Sequence, residues 1–403
     1  MHVLMISDVF FPRINGVSTS IETFRAELHA QGVRTSLLAP AYPAEDDHDD
    51  VIRIESRYLP MDPEDRMMKR GAIRQWLAAH RKGTERFDLV HIQTPFVAHY
   101  AGLEIARTLG VPAVATYHTY FEEYLHHYVP FLPEGWMRGA ARRFSRSQCN
   151  ALDAVIVPSR AMADTLAAYG VERPVHILPT GLPNDRFGGG DGDDFRTRYR
   201  IEPNRPLLLF VGRVAHEKNI AFLIEVMGKL RASHPEALLL VTGEGPALGA
   251  LREQVTSAGL TAQVRFLGYL DRRHELADCY RAADVFVFAS RTETQGLVLL
   301  EAMAQGKPVV ALSVMGTRDI LEGAPGAMVA PDDVRGFAEC VRGLLESPVL
   351  RQEMGEQARQ YAHRWRADEM ARRMAQLYES MVTPLARSDA TSSDEHAHVL
   401  RAG

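Results

Sequence analysis

The stretch Leu207-Leu-Leu-Phe-Val-Gly-Arg-Val-Ala-His-Glu-Lys-Asn219 decides the fold of this 403-residue chain. Five apolar residues run up to a glycine, and a helical pattern begins shortly after it. A run that is apolar on both faces is typical of a strand inside a parallel sheet, because helices cover both sides of such a sheet. The stretch therefore predicts a strand, a turn and a helix, which is the repeating unit of a doubly wound α/β domain.

The same unit recurs along the whole chain, where short Val/Ile/Leu runs alternate with helical patterns. This alternation predicts an α/β protein with two doubly wound domains that face a cleft at the carboxyl ends of their strands. In the first half the predicted strands are 2–7, 34–39, 88–92, 112–116, 153–157 and 175–178. In the second half they are 207–211, 237–242, 263–267, 284–288, 308–311 and 327–329. Two domains also agree with the length, which exceeds one ordinary core.

A Gly/Asp-rich segment marks the break between the two domains. Residues 184–194 read Asn-Asp-Arg-Phe-Gly-Gly-Gly-Asp-Gly-Asp-Asp and offer little to bury. The predicted parts are a first domain at 1–183, a linker at 184–206, a second domain at 207–365, a terminal helix at 366–383 and a disordered tail at 384–403.

Composition and charge exclude several classes of protein. A net charge of −5 argues against nucleic acid as the main partner, and 46% apolar with 24% charged residues describes a soluble globular chain. The first residues predict a strand and no signal peptide, and no run approaches the roughly 20 apolar residues that cross a bilayer. The cysteines lie far apart without metal-ligand spacing, so we expect reduced thiols in a cytoplasmic protein. They are Cys149, Cys279 and Cys340.

Two polar elements follow predicted strands of the second domain. The first, Gly212–Asn219, carries the cations of Arg213 and Lys218, which suit phosphate oxygens. The second, Thr292-Glu-Thr-Gln-Gly-Leu-Val-Leu-Leu-Glu301, carries two carboxylates around a glycine that opens a helix. Carboxylates accept hydrogen bonds from sugar hydroxyls, and helix-start N–H groups bind phosphates. Together the elements predict a site for a sugar joined to a nucleotide diphosphate.

The two elements resemble the Gly-Arg-x4-Lys and Glu-x7-Glu motifs of retaining nucleotide-sugar glycosyltransferases of the GT-B fold, in the family 4 group. The resemblance covers residues 2 to 382. It implies two Rossmann-like domains facing a central cleft, with the helix 366–383 crossing back onto the acceptor-side first domain. Thr294 and Gln295 before the glycine are a variant associated with glucosyltransferases that act on diacylglycerol. The resemblance thus implies retaining transfer of a hexose, with UDP-glucose favoured, to a diacylglycerol-like lipid or an envelope glycan.

The resemblance also implies roles for individual residues. The cations neutralise the leaving diphosphate, Glu293 holds the donor sugar, Glu301 holds the ribose, and His118 contacts the donor sugar near its reacting carbon. The implied catalytic residues are His118, Arg213, Lys218 and Glu293. The implied donor-binding residues are Gly16, Arg213, Lys218, Gly243, Leu270, Glu293, Gln295, Gly296, Leu297 and Glu301. The implied acceptor-side residues are Asn15, Tyr120, Glu122 and His126.

Other interpretations stay open on the residues alone. The turns at Gly16 and Gly243 are also ordinary strand-to-helix turns, and a lone histidine such as His118 is often structural. A nucleotide-sugar epimerase of the same fold, or a mannosyltransferase that uses GDP-mannose in polysaccharide synthesis, fits the same motifs. A glycosidase is disfavoured, because its carboxylates lie about 5–9.5 Å apart and residues eight apart on a helix are separated by roughly 12 Å. A dehydrogenase is disfavoured because no Gly-x-Gly-x-x-Gly follows a strand with an acidic residue downstream.

Metal and membrane contacts are the remaining predictions. We expect no obligatory metal or other cofactor, because the Asp-x-Asp spacing at Asp191 and Asp193 falls in the predicted linker. Residues 66–82 predict a basic helix with an apolar stripe of Met68, Ala72, Ile73, Trp76 and Leu77. A second basic stretch holds Arg138, Arg142, Arg143 and Arg146. Such a stripe either packs on the sheet or lies on an anionic membrane, so peripheral contact with the inner face of the cell membrane is a hypothesis.

Overall fold

The structure is a computed structural model that describes residues 1–13, 15–43, 50–59, 62–118, 134–271 and 275–383. Within these ranges, two parallel sheets form the centres of two α/β domains. The predicted tail 384–403 lies outside the described residues.

Seven parallel strands form the sheet of the first domain, in the order β3-β2-β1-β6-β7-β8-β9. They are β1 (His2–Ile6), β2 (Arg34–Pro40), β3 (Val51–Ile54), β6 (Leu89–Ile92), β7 (Ala113–Thr116), β8 (Ala154–Val157) and β9 (Val175–Ile177). A separate antiparallel hairpin pairs β4 (Ser56–Leu59) with β5 (Asp62–Met68). The helices are α1 (Gly16–Ala30), α2 (Arg70–His80), α3 (Val97–Leu109), α4 (Glu134–Asn150) and α5 (Arg160–Ala168).

Six parallel strands form the sheet of the second domain, in the order β12-β11-β10-β13-β14-β15. They are β10 (Leu207–Val211), β11 (Leu238–Thr242), β12 (Val264–Gly268), β13 (Val285–Phe288), β14 (Val309–Ala311) and β15 (Ala327–Val329). The helices are α6 (Gly192–Arg198), α7 (Ile220–Leu230), α8 (Leu248–Ser257), α9 (Glu275–Ala282), α10 (Leu297–Ala304), α11 (Thr317–Leu321), α12 (Val334–Glu346), α13 (Pro348–Ala362) and α14 (Ala367–Val382). In both sheets the strand order reverses beside the first strand, which is where ligands of open α/β sheets bind.

The predicted strands are all present, each within one residue of its predicted ends. Their central strands are buried on both faces, as the uninterrupted apolar runs require. The sequence analysis missed β3 and the β4–β5 hairpin. Arg53 interrupts the edge strand β3, and its guanidinium donates to the carbonyl oxygens of Pro40 (3.2 Å) and Phe11 (2.9 Å).

The terminal helix α14 packs on the first domain. Its buried residues recur at helical spacing and join the core formed by β1, β2 and α1. They include Met370, Met374 and Tyr378. The Tyr378 hydroxyl shares a hydrogen bond of 2.6 Å with Nδ1 of the buried His91 in β6, so the chain's end is tied to the middle of the first sheet.

The two chain segments that connect the domains run side by side. The Leu182 N–H donates to the Trp365 carbonyl (2.7 Å), and the Ala367 N–H donates to the Leu182 carbonyl (2.8 Å). A Cβ atom on Gly181 would lie 2.4 Å from the Ala367 Cα atom, so only glycine allows this approach. We call residues 180–183 and 365–367 the hinge.

Part of the predicted linker is a helix of the second domain. Helix α6 buries Phe195 completely in that domain's core and packs on α9. The Asp191 carboxylate caps it by accepting from the N–H groups of Asp193 (3.1 Å) and Asp194 (2.9 Å). The prediction of a linker is therefore corrected from about residue 192 onward, and the Asp-x-Asp spacing has a capping role.

The apolar stripe of residues 66–82 faces the protein. Met68 ends strand β5, and Ile73 and Leu77 of α2 are buried in the first domain's core, with Ala72 and Trp76 packed against it. The prediction of one helix over 66–82 is corrected, since α2 begins at Arg70. In the described part of the chain, no helix is long and apolar enough to span a membrane.

Candidate functional site

The two polar motifs of the second domain meet at one ion pair. Lys218 lies in a short 3-10 turn after β10, and Glu293 follows the neighbouring strand β13. The Lys218 Nζ atom lies 2.5 Å from the Glu293 Oε1 atom, and both side chains are mostly buried. Because parallel strands end at the same sheet edge, residues 75 positions apart become direct neighbours at the carboxyl edge of the second sheet.

Two further contacts fix these loops to each other. Asn219 adopts the left-handed conformation (φ +55°), which Asn tolerates better than most residues, and its side-chain amide donates to the Ala289 carbonyl (3.2 Å). The Ser290 hydroxyl donates to the Glu217 carbonyl (3.3 Å). The segment Gly212–Asn219, which we call the cation loop, is thus held against the end of β13 by contacts other than the ion pair.

Glycines let the cation loop pack on the turn after β11. At Gly243, φ is +121° and an added Cβ would lie 2.0 Å from the Gly212 carbonyl oxygen. The Gly212 N–H donates to Thr242 (3.1 Å) and the Val214 N–H to Glu244 (2.9 Å), both to main-chain carbonyls. Gly243 therefore has a structural role beneath the loop that carries Arg213, and its predicted donor contact stays a prediction.

The loop 293–296 is seated on the start of α11. Gly296 precedes α10 in the left-handed conformation (φ +97°), and Leu297 opens the helix partly buried against the core. The Gly316 N–H donates to the Glu293 carbonyl (2.9 Å), and a Cβ on Gly316 would lie 2.0 Å from the Thr294 carbonyl oxygen. The α10 N-terminus therefore presents its first-turn N–H groups beside Glu293, an arrangement suited to an anion.

Glu301 is held by a residue that the sequence analysis did not nominate. The Tyr280 hydroxyl, on α9, donates to Glu301 Oε2 at 2.9 Å, and the two residues are only 2% and 6% exposed. A buried carboxylate requires such a donor. Tyr280 thus fixes one oxygen of the carboxylate that the family resemblance assigns to the ribose.

The Gln295 side chain is engaged with the first domain. Its Oε1 atom accepts from the Thr180 N–H (2.9 Å), and its Nε2 atom donates to the Thr180 carbonyl (2.7 Å). This reciprocal pair settles the orientation of the amide, because each atom meets a group of fixed polarity. A donor contact of Gln295 stays a prediction.

His118 follows β7 at the carboxyl edge of the first sheet. Its Nε2 atom lies 3.0 Å from Gln93 Oε1, and burial lowers the pKa of His118 to about 4. The imidazole is therefore neutral at pH 7. Asp8 follows β1 at the same edge of the sheet. Its carboxylate accepts hydrogen bonds from Thr94 Oγ1 (2.8 Å) and from the Ala98 N–H. Burial raises the pKa of Asp8 to about 6.

The remaining predicted residues lie at the start of α1, after β12 or outside the described ranges. Asn15 caps α1 by accepting from the Ser18 N–H (2.8 Å). An added Cβ on Gly16 would meet none of the described heavy atoms within 4 Å, so packing there does not demand glycine. Leu270 is partly buried after β12. The acceptor-side predictions Tyr120, Glu122 and His126 fall outside the described residues.

Comparisons with known proteins identify the family and agree with the fold. The Glycosyltransferase Family 4 model matches residues 14–186, and the Glycosyl transferases group 1 model matches residues 191–361. The alpha-monoglucosyldiacylglycerol synthase of Streptococcus pneumoniae is 31% identical over 320 residues, which cover 77% of this chain and 71% of that protein. The chain belongs to the GT-B glycosyltransferases.

Other relatives of this GT-B glycosyltransferase differ in the substrates that their names state. A GDP-mannose-dependent alpha-mannosyltransferase of Mycobacterium tuberculosis is 30% identical over 326 residues, covering 80% of this chain and 81% of that protein. Among solved structures, Anabaena HepE in complex with UDP superposes with a TM-score of 0.75 at 18% identity, covering 94% of this chain and 100% of that chain. The predicted GT-B fold is confirmed.

The sequence analysis of this glycosyltransferase found motif residues but missed their partners. Lys218 and Glu293 were expected in one site and are in contact. Tyr280, Gln93 and Thr180 carry no motif, and each contacts its partner only after the chain folds. The one signal at Thr180 was its place just before Gly181 and the predicted domain break.

Proposed function

We propose that this glycosyltransferase moves glucose from UDP-glucose to a diacylglycerol-like lipid, with retention of configuration at the sugar. The Lys218–Glu293 ion pair carries the proposal, because it joins a phosphate-binding cation to a sugar-binding carboxylate at one sheet edge. The name of the Streptococcus relative supports a diacylglycerol acceptor. The Thr294-Gln295 variant, associated with diacylglycerol glucosyltransferases, supports the same acceptor.

The donor would be bound mainly by the second domain. The Arg213 guanidinium and the Lys218 ammonium would neutralise the diphosphate, assisted by the first-turn N–H groups of α10. The Glu293 carboxylate would accept from hydroxyls of the transferred sugar. Glu301, fixed by Tyr280, would accept from the ribose. Charge on the departing diphosphate grows as the sugar bond breaks, so these cations stabilise the transition state more than the bound donor.

Retention would follow from the donor's own phosphate rather than from a protein nucleophile. A donor phosphate oxygen would take the proton of the acceptor hydroxyl as that hydroxyl attacks the face from which the diphosphate leaves. His118 is suited to hydrogen bonding near the reacting carbon, because its lowered pKa keeps the imidazole neutral at pH 7. Catalysis would then consist chiefly of positioning and charge stabilisation. An α-nucleotide sugar would give an α-glycoside.

Membrane contact, if the acceptor is a lipid, would be electrostatic. The stripe of α2 is buried, but Arg70, Arg81 and Lys82 are exposed at this surface. A second exposed basic set lies on α4. Its members are Arg138, Arg142, Arg143 and Arg146. Exposed basic side chains near a surface of anionic lipid contribute roughly 1 kcal/mol each at physiological salt.

The decisive experiment offers the purified protein labelled UDP-glucose, UDP-galactose and GDP-mannose, each with and without diacylglycerol liposomes. We expect one labelled glycolipid, from UDP-glucose, with α configuration by the anomeric proton coupling in NMR. A β product would refute retention. Lipid labelled only from GDP-mannose would favour the second candidate, a mannosyltransferase like the Mycobacterium relative. Tight binding of one donor without a lipid product would refute the acceptor.

Charge reversal tests the membrane contact separately. The variant Arg70→Glu/Arg81→Glu/Lys82→Glu should lose activity on anionic liposomes and keep it on a detergent-dispersed acceptor. Reversal of the exposed Arg335 and Arg342 on α12 of the second domain is the matched control. Equal activity of both variants on anionic liposomes would refute electrostatic binding by this surface.

A further inference from the structure

The hinge is linked by hydrogen bonds to both halves of the cleft. Thr180 is 6% exposed and lies one residue before Gly181, where the two connecting segments run side by side. Its main chain bonds the Gln295 amide of the second domain, and its hydroxyl shares a hydrogen bond of 2.6 Å with the Ser20 hydroxyl. Ser20 lies on α1, one turn after the Asn15–Gly16 helix start.

The Gln295 side chain belongs to the same loop as the carboxylate of the ion pair. Only Thr294 separates Gln295 from Glu293, and Glu293 is paired with Lys218. One chain of contacts therefore runs from the cation loop, through Glu293 and Gln295, to Thr180 and Ser20. Ser20, Thr180 and Gln295 are all buried, so these contacts are shielded from solvent. The chain of contacts ends near the start of α1, on the cleft side of the first domain.

We infer that Gln295 is a positioning residue that sets the orientation of the first domain relative to the loop 293–296 of the second domain. This inference rests on the proposed function. Both amide atoms are bonded to one residue of the hinge, so Gln295 cannot rotate without losing two buried hydrogen bonds. Its task is to hold the start of α1 and His118 at the distance that transfer requires, while the second domain binds the nucleotide.

Gln305, at the other end of α10 from Gln295, supplies a control. It follows α10, is 4% exposed, and its amide also donates to main-chain carbonyls, those of Arg186 (2.9 Å) and Gly188 (3.1 Å). These carbonyls follow the hinge in the chain, and neither belongs to Thr180 or Ser20. Gln305→Ala therefore removes another buried glutamine amide and leaves the Gln295–Thr180 hydrogen bonds in place.

The experiment compares Gln295→Ala, Gln295→Glu and Gln305→Ala in the full chain. Three quantities are measured, namely hydrogen exchange of a peptide that contains the Thr180 amide, the Kd for UDP, and kcat with UDP-glucose and diacylglycerol. For Gln295→Ala we expect exchange at least about tenfold faster and a kcat at least about tenfold lower, and a Kd for UDP within about threefold would show that Gln295 acts by positioning and not by the predicted donor contact. Gln295→Glu keeps the acceptor for the Thr180 N–H but loses the donor, so its exchange and kcat should be intermediate. Gln305→Ala should stay within about twofold of wild type in all three.

Each outcome decides the inference. A kcat for Gln295→Ala within twofold of wild type, or an equal loss in Gln305→Ala, would overturn it. If Gln295→Ala does not fold, Thr180→Val removes only the bond to Ser20, and an unchanged kcat there would count against the chain of contacts. If wild type transfers no sugar to any acceptor, the proposed function fails, but hydrogen exchange at Thr180 still tests the contact between Gln295 and Thr180. Unchanged exchange in Gln295→Ala would then refute the inference that this contact holds the hinge.

Discussion

Removal of the Tyr280 hydroxyl tests whether Glu301 binds the nucleotide. Tyr280→Phe keeps the ring, which is 2% exposed and packs 5.8 Å from the Phe286 ring, and deletes only the oxygen that donates to Glu301. The variant should fold, because no cavity larger than one oxygen atom results. The Glu301 carboxylate loses the hydrogen bond to its Oε2 atom.

The expected size of the effect follows from the kind of hydrogen bond. A bond to a charged group contributes about 1.5–3 kcal/mol, and the Glu301 carboxylate is almost completely buried. If all of this free energy appeared in nucleotide binding, the Kd for UDP would rise about 10- to 150-fold, since about 1.4 kcal/mol corresponds to a factor of ten. Part of it will appear as lost stability instead, so we expect a rise of at least about fivefold.

Isothermal titration calorimetry with UDP measures this effect, and urea unfolding measures the stability. Tyr361→Phe is the control, because the Tyr361 hydroxyl is also buried and donates at 2.9 Å, but to the neutral Ile320 carbonyl of α11 and not to a motif carboxylate. The control should lose about 1 kcal/mol of stability and bind UDP as wild type does. If Tyr280→Phe also binds UDP as wild type does, Glu301 is a structural carboxylate and its assignment to the ribose is wrong.

Three further predictions concern the ion pair, a glycine and a buried histidine. Lys218→Ala and Glu293→Gln should each lower kcat/KM by at least about 100-fold with unchanged circular dichroism, since each removes a charge that the proposed donor site requires; near wild-type rates would contradict that proposed site. Gly243→Ala should cost more than about 2 kcal/mol in urea unfolding, because its Cβ would lie 2.0 Å from a carbonyl oxygen at φ +121°, whereas Gly249→Ala, in open space on α8, should be neutral or stabilising. Burial lowers the pKa of His91 to about 3, so below about pH 6.5 the unfolded chain binds a proton at His91 that the folded protein does not bind. The free energy of unfolding should therefore fall as the pH is lowered from about 6.5 to about 4. In His91→Gln it should fall less steeply.

The sequence predicted those parts of the fold that local pattern determines. Runs such as Leu207–Val211 are apolar at every position, and only a sheet covered on both faces buries them. The hairpin strand Asp62–Met68 begins Asp-Pro-Glu-Asp-Arg, with no alternation to mark it, so the basic pattern of α2 was extended too far toward the N-terminus. Phe195 is the apolar residue that anchors α6 in the core, and the polar residues around it gave no sign of a buried helix.

The sequence predicted those site residues that directly follow a strand. Lys218 and Glu293 follow adjacent strands, so the topology alone brings them to one edge. The contact between Tyr280 and Glu301 depends instead on how α9 packs beside α10, and no spacing rule gives the distance between two helices from different βα units. The partner of Gln295 depends on the relation between the two domains, which no local pattern encodes.

The contacts divide the site into two parts, which should affect nucleotide binding and sugar transfer differently. The cation loop, the 293–296 loop and Glu301 are fixed to one another by bonds within the second domain, so nucleotide affinity should respond to substitutions there and little to those in the first domain. His118 and the start of α1 belong to the first domain, so their distance from the proposed donor site depends on the hinge. The transfer rate should therefore respond to both sets of residues, because reacting groups misplaced by about 1 Å can lose about 100-fold in rate. A variant that binds UDP normally yet transfers slowly points to the hinge or the first domain, whereas one that loses both points to the second.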